Sequence, residues 1–560
     1  MKHPEFASFR PAFFKTIKDY DRQKFTADVL SGLVVGVVAL PLAIAFGIAS
    51  GVSPEKGIIT AIIAGFIVSF LGGSRVQIGG PTGAFIVIVY GIIQQYGESG
   101  LIIATLMAGV MLFFMGLFKL GTVIKFIPYP IIVGFTAGIA VTIFSTQIND
   151  FFGLTIDVMP ADFIGKWIAY FSSFETVKPQ ELGVGVVSLL IIICGRKTFK
   201  KIPSSLVAIV VAAVAVYFCN RYNWFGAPVE TIGSRYTIDP SIPVPETPSI
   251  DINVFQTLLP AAFSIAMLGA IESLLSATVA DGIIGAKHDS NTELMAQGAA
   301  NLITPLFGGI PATGAIARTM TNINNGGRSP VAGIIHAVVL LLILLFLGSL
   351  TKFIPMATLA AILIVVSYNM SEWRSFKSLL KNPLYDVLVL LITFFLTVIF
   401  DLTIAIEFGL LLAAFLFMKR VSETSSISVI RDEYDVDAEF HTEKIILPKG
   451  VEMYEIEGPF FFGIANKLEE QMNILDEKPK IRIIRMRNVP FIDSTGLYNL
   501  RSLYRLSQNS KIVTILSGIN ENVNSVLIHS GFAEQIGKEN ICPDIDAALK
   551  RAEEVLRHEK

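Results

Sequence analysis

Fourteen largely apolar stretches between positions 29 and 418 constrain this chain more than any other feature. A bilayer-crossing helix needs about 20 such residues, and no soluble core hides so many of them. The stretches lie near 29–49, 55–72, 77–95, 100–118, 128–148, 182–195, 203–220, 255–280, 291–307, 312–324, 330–349, 353–369, 383–400 and 402–418. Composition agrees, since only 16% of the 560 residues are charged and mean hydropathy is +0.62. The expectation is an α-helical multi-pass membrane protein with 14 transmembrane segments.

Charge placement orients the spans. Lys2, Arg10, Lys15, Lys18, Arg22 and Lys24 cluster before the first run, with no apolar core and cleavage site of the kind a signal peptide has. This predicts an uncleaved, cytoplasmic N-terminus in an inner, cytoplasmic membrane. An even number of spans returns the C-terminus to the same side. The loops then placed inside hold Arg75, Lys119, Lys125, Arg196, Lys197, Lys200, Lys201, Lys287, Arg328, Arg374, Lys377, Lys381, Lys419 and Arg420. A net charge of −2 offers no basic field for nucleic acid. Cys194, Cys219 and Cys542 form neither a disulfide framework nor a metal motif, and nothing points to a metal, a cofactor or an enzymatic triad.

The third and tenth stretches open on glycine and proline and resemble one another: Gly79-Gly80-Pro81-Thr82-Gly83-Ala84 against Gly308-Gly309-Ile310-Pro311-Ala312-Thr313-Gly314-Ala315. They lie seven spans apart, and an odd offset inverts one copy across the bilayer, which predicts a 7+7 inverted repeat. Non-helical backbone at membrane depth is tolerated only where it is buried in protein or lines a cavity. Each copy therefore reads as an extended stretch entering a half-helix, with helix starts near Thr82 to Ala84 and Ala315 to Ala317. Free N–H groups and the positive dipole end at two such starts hold a small anion. Proline is comfortable at a helix start. Gly83 and Gly314 let a ligand approach, and Thr82 and Thr313 add hydroxyls. Tightly packed glycine kinks are the competing reading.

Arg318, two residues beyond Ile316, adds fixed charge beside the proposed site or else snorkels to the interface. Glu272 is the only charge between Asp251 and Asp281. A carboxylate in such surroundings needs a proton, a sodium ion or Arg318 as its partner. Ser276, four residues on, shares its helix face and could supply an oxygen ligand. Phe46, after a proline in the first span, could line the cavity, and Asp401 and Glu407 read as interfacial.

The charge balance then changes: residues 421–560 carry 40 of the 90 charged residues, against six in 29–149. From Val451 the chain alternates strand and helix: strands over 451–457, 459–462, 481–486 and 512–516, with helices from Ile464, after Asp493, and near 520–530 and 543–557. This predicts a small α/β domain. Asp493-Ser494-Thr495-Gly496 sits at a strand-to-helix turn, where Asp493 or Ser494 can cap the helix; capping alone explains the motif, and the sharper reading is a regulatory surface or phosphorylation site at Ser494 and Thr495.

Several motifs in order resemble the sulfate permease family of anion transporters: Gly79-Gly80-Pro81-Thr82; Ala280-Asp281-Gly282 with Lys287-His288, Asn291, Glu293-Leu294, Gln297-Gly298 and Asn301; Gly308-Gly309-Ile310-Pro311 with Arg318; and a tail similar to a STAS domain. The resemblance implies segments 1–28 (cytoplasmic), 29–420 (transport), 421–450 (linker) and 451–560 (STAS). It also implies a core of spans 1–4 and 8–11 moving as an elevator against a gate of spans 5–7 and 12–14, in a homodimer within membrane lipid. The anion would lie near Phe46, Thr82 and Ala315 to Ala317, with Glu272 at the acidic position of span 8. Leu268-Gly269-Ala270-Ile271-Glu272-Ser273-Leu274-Leu275 and Tyr368-Asn369-Met370-Ser371-Glu372 look closest to bacterial C4-dicarboxylate members. Bicarbonate members carry aspartate where Glu272 stands, which favours a proton over sodium as coupling ion. The expected function is proton-coupled secondary transport of a C4-dicarboxylate, sulfate or bicarbonate. A sodium-coupled carrier, an uncoupled channel and a membrane-anchored STAS signalling module remain as alternatives.

Overall fold

The computed structural model describes residues 9–122, 128–160, 162–198, 203–224, 226–237, 244–245, 252–400, 402–430, 433–435, 444–462 and 479–558. Asp401 and the expected helix from Ile464 lie outside them, as does the Glu407 side chain. The chain divides into two compact units, Met1–Leu411 and Leu412–Lys560.

The first unit is helical because nearly every long apolar run lacks an internal turn signal. Its helices are α1 Arg22–Ala49, α2 Pro54–Leu71, α3 Ile86–Leu117, α4 Tyr129–Phe152, α5 Phe163–Ser172, α6 Pro179–Thr198, α7 Ser204–Arg221, α8 Ile252–Ile284, α9 Ser290–Ile303, α10 Ile316–Asn324, α11 Val331–Leu347, α12 Met356–Met370, α13 Leu384–Ile399 and α14 Leu402–Thr424, the last running into the second unit. Pro41 lies inside α1 without ending it. Eight helices among the described residues are long and apolar enough to cross a membrane, and Pro179–Gly195 and Leu384–Ile399 are shorter apolar ones.

Two features depart from a plain succession of helices and loops. The stretches 77–95 and 100–118 are joined in α3 without a loop, through Gly97, whose φ of 66° a side-chain-bearing residue rarely adopts. The helix α10 has only nine residues, a length of about 14 Å that reaches roughly halfway through a hydrocarbon core. Between helices, small residues allow backbone contact. A Cβ on Gly298 of α9 would stand 2.5 Å from the Phe113 nitrogen of α3, so these helices pack at a distance only glycine permits.

The second unit holds a five-stranded sheet of β3 Ser426–Ile430, β4 Val451–Glu457, β5 Ile481–Asn488, β6 Val513–Ser517 and β7 Ile541–Cys542, in that order across the sheet. The first pair is antiparallel and the rest are parallel. The central strands are buried on both faces, with Glu452, Glu455, Arg482 and Arg485 buried among their apolar residues. Tyr454, Ile484 and Leu516 meet helices α15 Ser494–Asn509 and α16 Glu521–His529, whereas Met453, Ile483 and Ile515 meet α17 Ile545–His558. Residues 459–462 form no strand. Phe460 makes only an isolated bridge to Ile492.

Candidate functional site at the crossing of two broken segments

Two extended pieces, β1 Gly79–Gly80 and β2 Thr313–Gly314, pair antiparallel, with Gly79 opposite Gly314 and Gly80 opposite Thr313. A tight turn, Gly83–Phe85, follows β1 and leads into α3, and α10 follows β2. The two half-helix starts therefore approach one crossing from opposite directions.

Their caps differ. Thr82 is the extended residue before the first turn, and its hydroxyl oxygen accepts from the Ala84 N–H at 3.5 Å. Ala315 occupies the corresponding place before α10, and no side chain caps that helix. Ala315 is half-buried, and Ile316 and Ala317 are exposed, so the uncapped N–H end of α10 faces open space. Gly83 lies where three helices meet. A Cβ there would stand 3.4 Å from Phe46 of α1, 3.3 Å from Ile143 of α4 and 3.0 Å from Met370 of α12. Pro81, Gly83 and Ala84 are buried, with Phe46 beside them.

Glu272 approaches the crossing from α8. It is half-buried, with the Thr82 side chain beside its carboxyl. Its neighbour Ser273 accepts the Gly314 N–H at 3.0 Å and pairs with the Thr313 hydroxyl at 2.5 Å. The Thr313 hydroxyl also donates to the Gly269 carbonyl. One helical turn of α8 thus touches both broken segments.

Arg318 faces the other way from what a bare positive charge in the cavity would require. It is 2% exposed, and its guanidinium donates to the Pro81 carbonyl at 2.8 Å and the Gly79 carbonyl at 3.4 Å. Gly80, at φ 148°, lies where a Cβ would collide with that guanidinium. No ion pair joins Arg318 to Glu272 among the described residues. The Ser276 hydroxyl donates to Thr319 at 3.3 Å, whose oxygen also accepts the Ile78 N–H.

The structure therefore brings Phe46, Pro81, Thr82, Gly83, Ala84, Glu272, Ala315, Ile316 and Ala317 to the surroundings of one crossing. Thr313, Gly314, Arg318 and Ser276 are the supports behind it. The copies begin their helices at different points of the motif, because Thr313 and Gly314 are used up in the strand that Thr82 and Gly83 have already left. Sequence reasoning missed Ser273 and Gln77. The Gln77 amide donates to the Ser273 carbonyl and to Glu293, each at 3.1 Å. The available signal was a lone amide two residues before Gly79 in an apolar run. In the second unit, Asp493 accepts from the Gly496 N–H at 2.7 Å, with Ser494 and Thr495 exposed.

A helical bundle with two broken segments crossing each other, followed by a small α/β domain, defines a helical membrane transporter with a C-terminal α/β module. Residues 25–393 match the sulfate permease family and residues 445–548 match the STAS domain. The chain belongs to the sulfate permease family of anion transporters. It is 43% identical to "Putative sulfate transporter YvdB" of Bacillus subtilis, over 94% of this chain and 98% of that protein. It is 33% identical to the bicarbonate transporter BicA of Picosynechococcus, over 80% of this chain and 81% of that protein. The transmembrane domain of a cyanobacterial BicA superposes with a TM-score of 0.62 at 30% identity, covering 70% of this chain and 98% of the other. The murine Solute Carrier 26 family member A9 anion transporter in the inward-facing state superposes at 0.87 over 99% of this chain and 96% of its own. At 18% identity that likeness bears on the fold alone.

Proposed function

We propose that this chain is a secondary active carrier of a small oxyanion, which binds between the Thr82–Ala84 turn and the uncapped start of α10 and is coupled to a proton at Glu272. The observation that carries the reading is the antiparallel crossing of β1 and β2, with Thr82 and Glu272 facing each other beside it. Backbone N–H donors suit an anion with little side-chain encoding of shape. A carboxylate beside the substrate turn can change its proton and its contact with that turn together.

Sulfate and bicarbonate rank ahead of C4-dicarboxylates, because the names of the relatives reported above point to those two anions. In the same reading the 14 segments cross the cytoplasmic membrane as a 7+7 repeat with both termini inside. A core of α1–α3 and α8–α11 slides as an elevator against a gate of α4, α6, α7 and α12–α14, in a homodimer. The STAS domain regulates transport through Ser494 and Thr495.

Uptake of labelled sulfate, bicarbonate and succinate into proteoliposomes, under an imposed proton gradient, a sodium gradient or neither, tests this. Accumulation of one anion only with the proton gradient is the expected result. Equilibration without accumulation identifies an uncoupled channel. No movement of any anion overturns the carrier reading and turns attention to a STAS signalling role.

A further inference from the structure

Lys166 is the one buried lysine of the first unit's described residues, and the carrier reading gives it no task. It is 6% exposed. It sits on α5, in the stretch between α4 and α6 that charge placement puts outside the membrane. The helix is amphipathic and starts where Asp162 accepts the Gly165 N–H at 2.6 Å. Trp167 packs against Phe163, Tyr170 and Phe171 of the same helix. The Lys166 side chain is turned inward. Its ammonium lies 4.9 Å from the centre of the Tyr90 ring, and no carboxylate of the described residues comes within the 4.0 Å of an ion pair. Nearly every other buried charge in this unit has a polar partner: Glu293, for example, accepts from Gly73, Ser74, Gln77 and Gln297.

Two cavities flank Lys166. One, of about 270 Å³, is walled by α1, α4 and α12 and contains Tyr90, Gln147, Tyr170 and Tyr236. The other, of about 560 Å³, runs along the first half of α3. The acid in the first cavity, Asp150, is already neutralised by Arg235 at 2.8 Å. The space thus holds one cation with no ion-pair contact among the described residues, opposed at longer range by Asp162 of the second cavity and flanked by hydroxyl and amide groups. Burial draws the Lys166 ammonium below the usual lysine range, with Asp162 opposing, so a bound anion would relieve the strain of keeping it charged. Tyr90 stands seven residues beyond Gly83 on the same helical path, about 10 Å along the axis. A ligand at Lys166 therefore sits one step outside the crossing of the broken segments.

We propose that Lys166, with Tyr90, Gln147 and Tyr170, forms an outer capture site for the transported oxyanion, occupied before the anion reaches the Thr82–Ala84 turn. The proposal rests on the carrier reading and names the residues that would set affinity on the outer face.

Initial rates of sulfate and bicarbonate uptake into intact cells expressing the full chain test it. Lys166→Met, which keeps the length and removes the charge, raises the external half-saturation concentration by roughly tenfold or more. The maximal rate stays within about twofold, and Lys166→Arg restores affinity. Half-saturation on the cytoplasmic face, read as efflux, does not change. An unaltered external half-saturation in Lys166→Met overturns the proposal, as does an equal change on both faces. A second measurement is independent of transport. With Trp224 and Trp373 replaced by phenylalanine, the fluorescence of Trp167 in the solubilised full chain responds to sulfate or bicarbonate, and the response is lost in Lys166→Met. If the unmodified protein moves no anion while Trp167 still reports saturable binding, the carrier reading fails and the anion site stands. If the protein transports while Trp167 stays silent and Lys166→Met is neutral, the site fails alone.

Discussion

Thr82 and Glu272 face each other beside the crossing of the two broken segments, one residue from the first half-helix start and the other from the middle of α8. This couples the group best suited to carry a proton to the backbone best suited to carry an anion. Glu272→Gln keeps an acceptor and a similar shape but cannot ionise. We expect exchange of labelled anion across proteoliposomes to persist while accumulation driven by a proton gradient falls by tenfold or more. Full accumulation by the variant would remove Glu272 from coupling.

Arg318 fastens β1 to α10 through the carbonyls of Gly79 and Pro81. Arg318→Ala leaves both carbonyls buried without those donors, at a cost of about 2–4 kcal/mol for hydrogen bonds to a charged group. Melting of the solubilised chain should drop and transport should be lost. Arg318→Lys should recover less than half of the stability, because a single ammonium does not reproduce a planar fork. Unchanged melting in Arg318→Ala would show that other contacts hold the strand.

The loop before α8 supplies a pH-dependent tie. Glu230 bonds Lys178 at 3.1 Å and Arg235 at 2.5 Å. Burial pushes its carboxyl upward, but the Arg235 guanidinium and Lys178 outweigh that and hold it below the usual range. A carboxyl depressed in the folded state stabilises above its unfolded value of about 4.3, and the contribution is lost as pH falls through the folded value. Hydrogen exchange at Ile232 and Met356, whose amides bond Ile354 and Glu230, should therefore accelerate as external pH is lowered from about 6 to 3. Glu230→Gln should flatten that dependence. The same acceleration in the variant would assign it to another group.

Asp493 caps α15, and its other oxygen accepts the Phe462 N–H at 3.2 Å. Asp493→Ala should cost about 1 kcal/mol, read as faster exchange of the Gly496 and Phe462 amides in the full chain. Exchange unchanged at both amides would mean that the turn is held by packing instead.

Much of the fold is legible in the residues. The long apolar runs coincide with helices because a helix closes its own backbone hydrogen bonds, whatever its neighbours are. The alternation of strand and helix patterns from Val451 likewise announces the small α/β domain. The interruptions at Gly79–Gly83 and Gly308–Gly314 mark where the two broken segments cross, since glycine and proline end a helix and let backbones approach closely. Their division of labour was not legible. A strand of two residues has no periodicity, and it exists only because its partner lies seven expected spans away in sequence.

The sequence alone thus determined the membrane class, the position of the broken segments and the α/β tail, all of which follow from local propensity and hydropathy. Tertiary structure alone decided the register that sets Gly79 against Gly314. It turned Thr313 back onto Ser273 and left Thr82 to meet Glu272. It also directed Arg318 to backbone carbonyls and folded Lys166 in beside Tyr90 with no carboxylate partner. The physical reason is the same in each case: a polar group excluded from water takes whichever partner the packing brings within hydrogen-bond reach, and reach is a property of the folded chain.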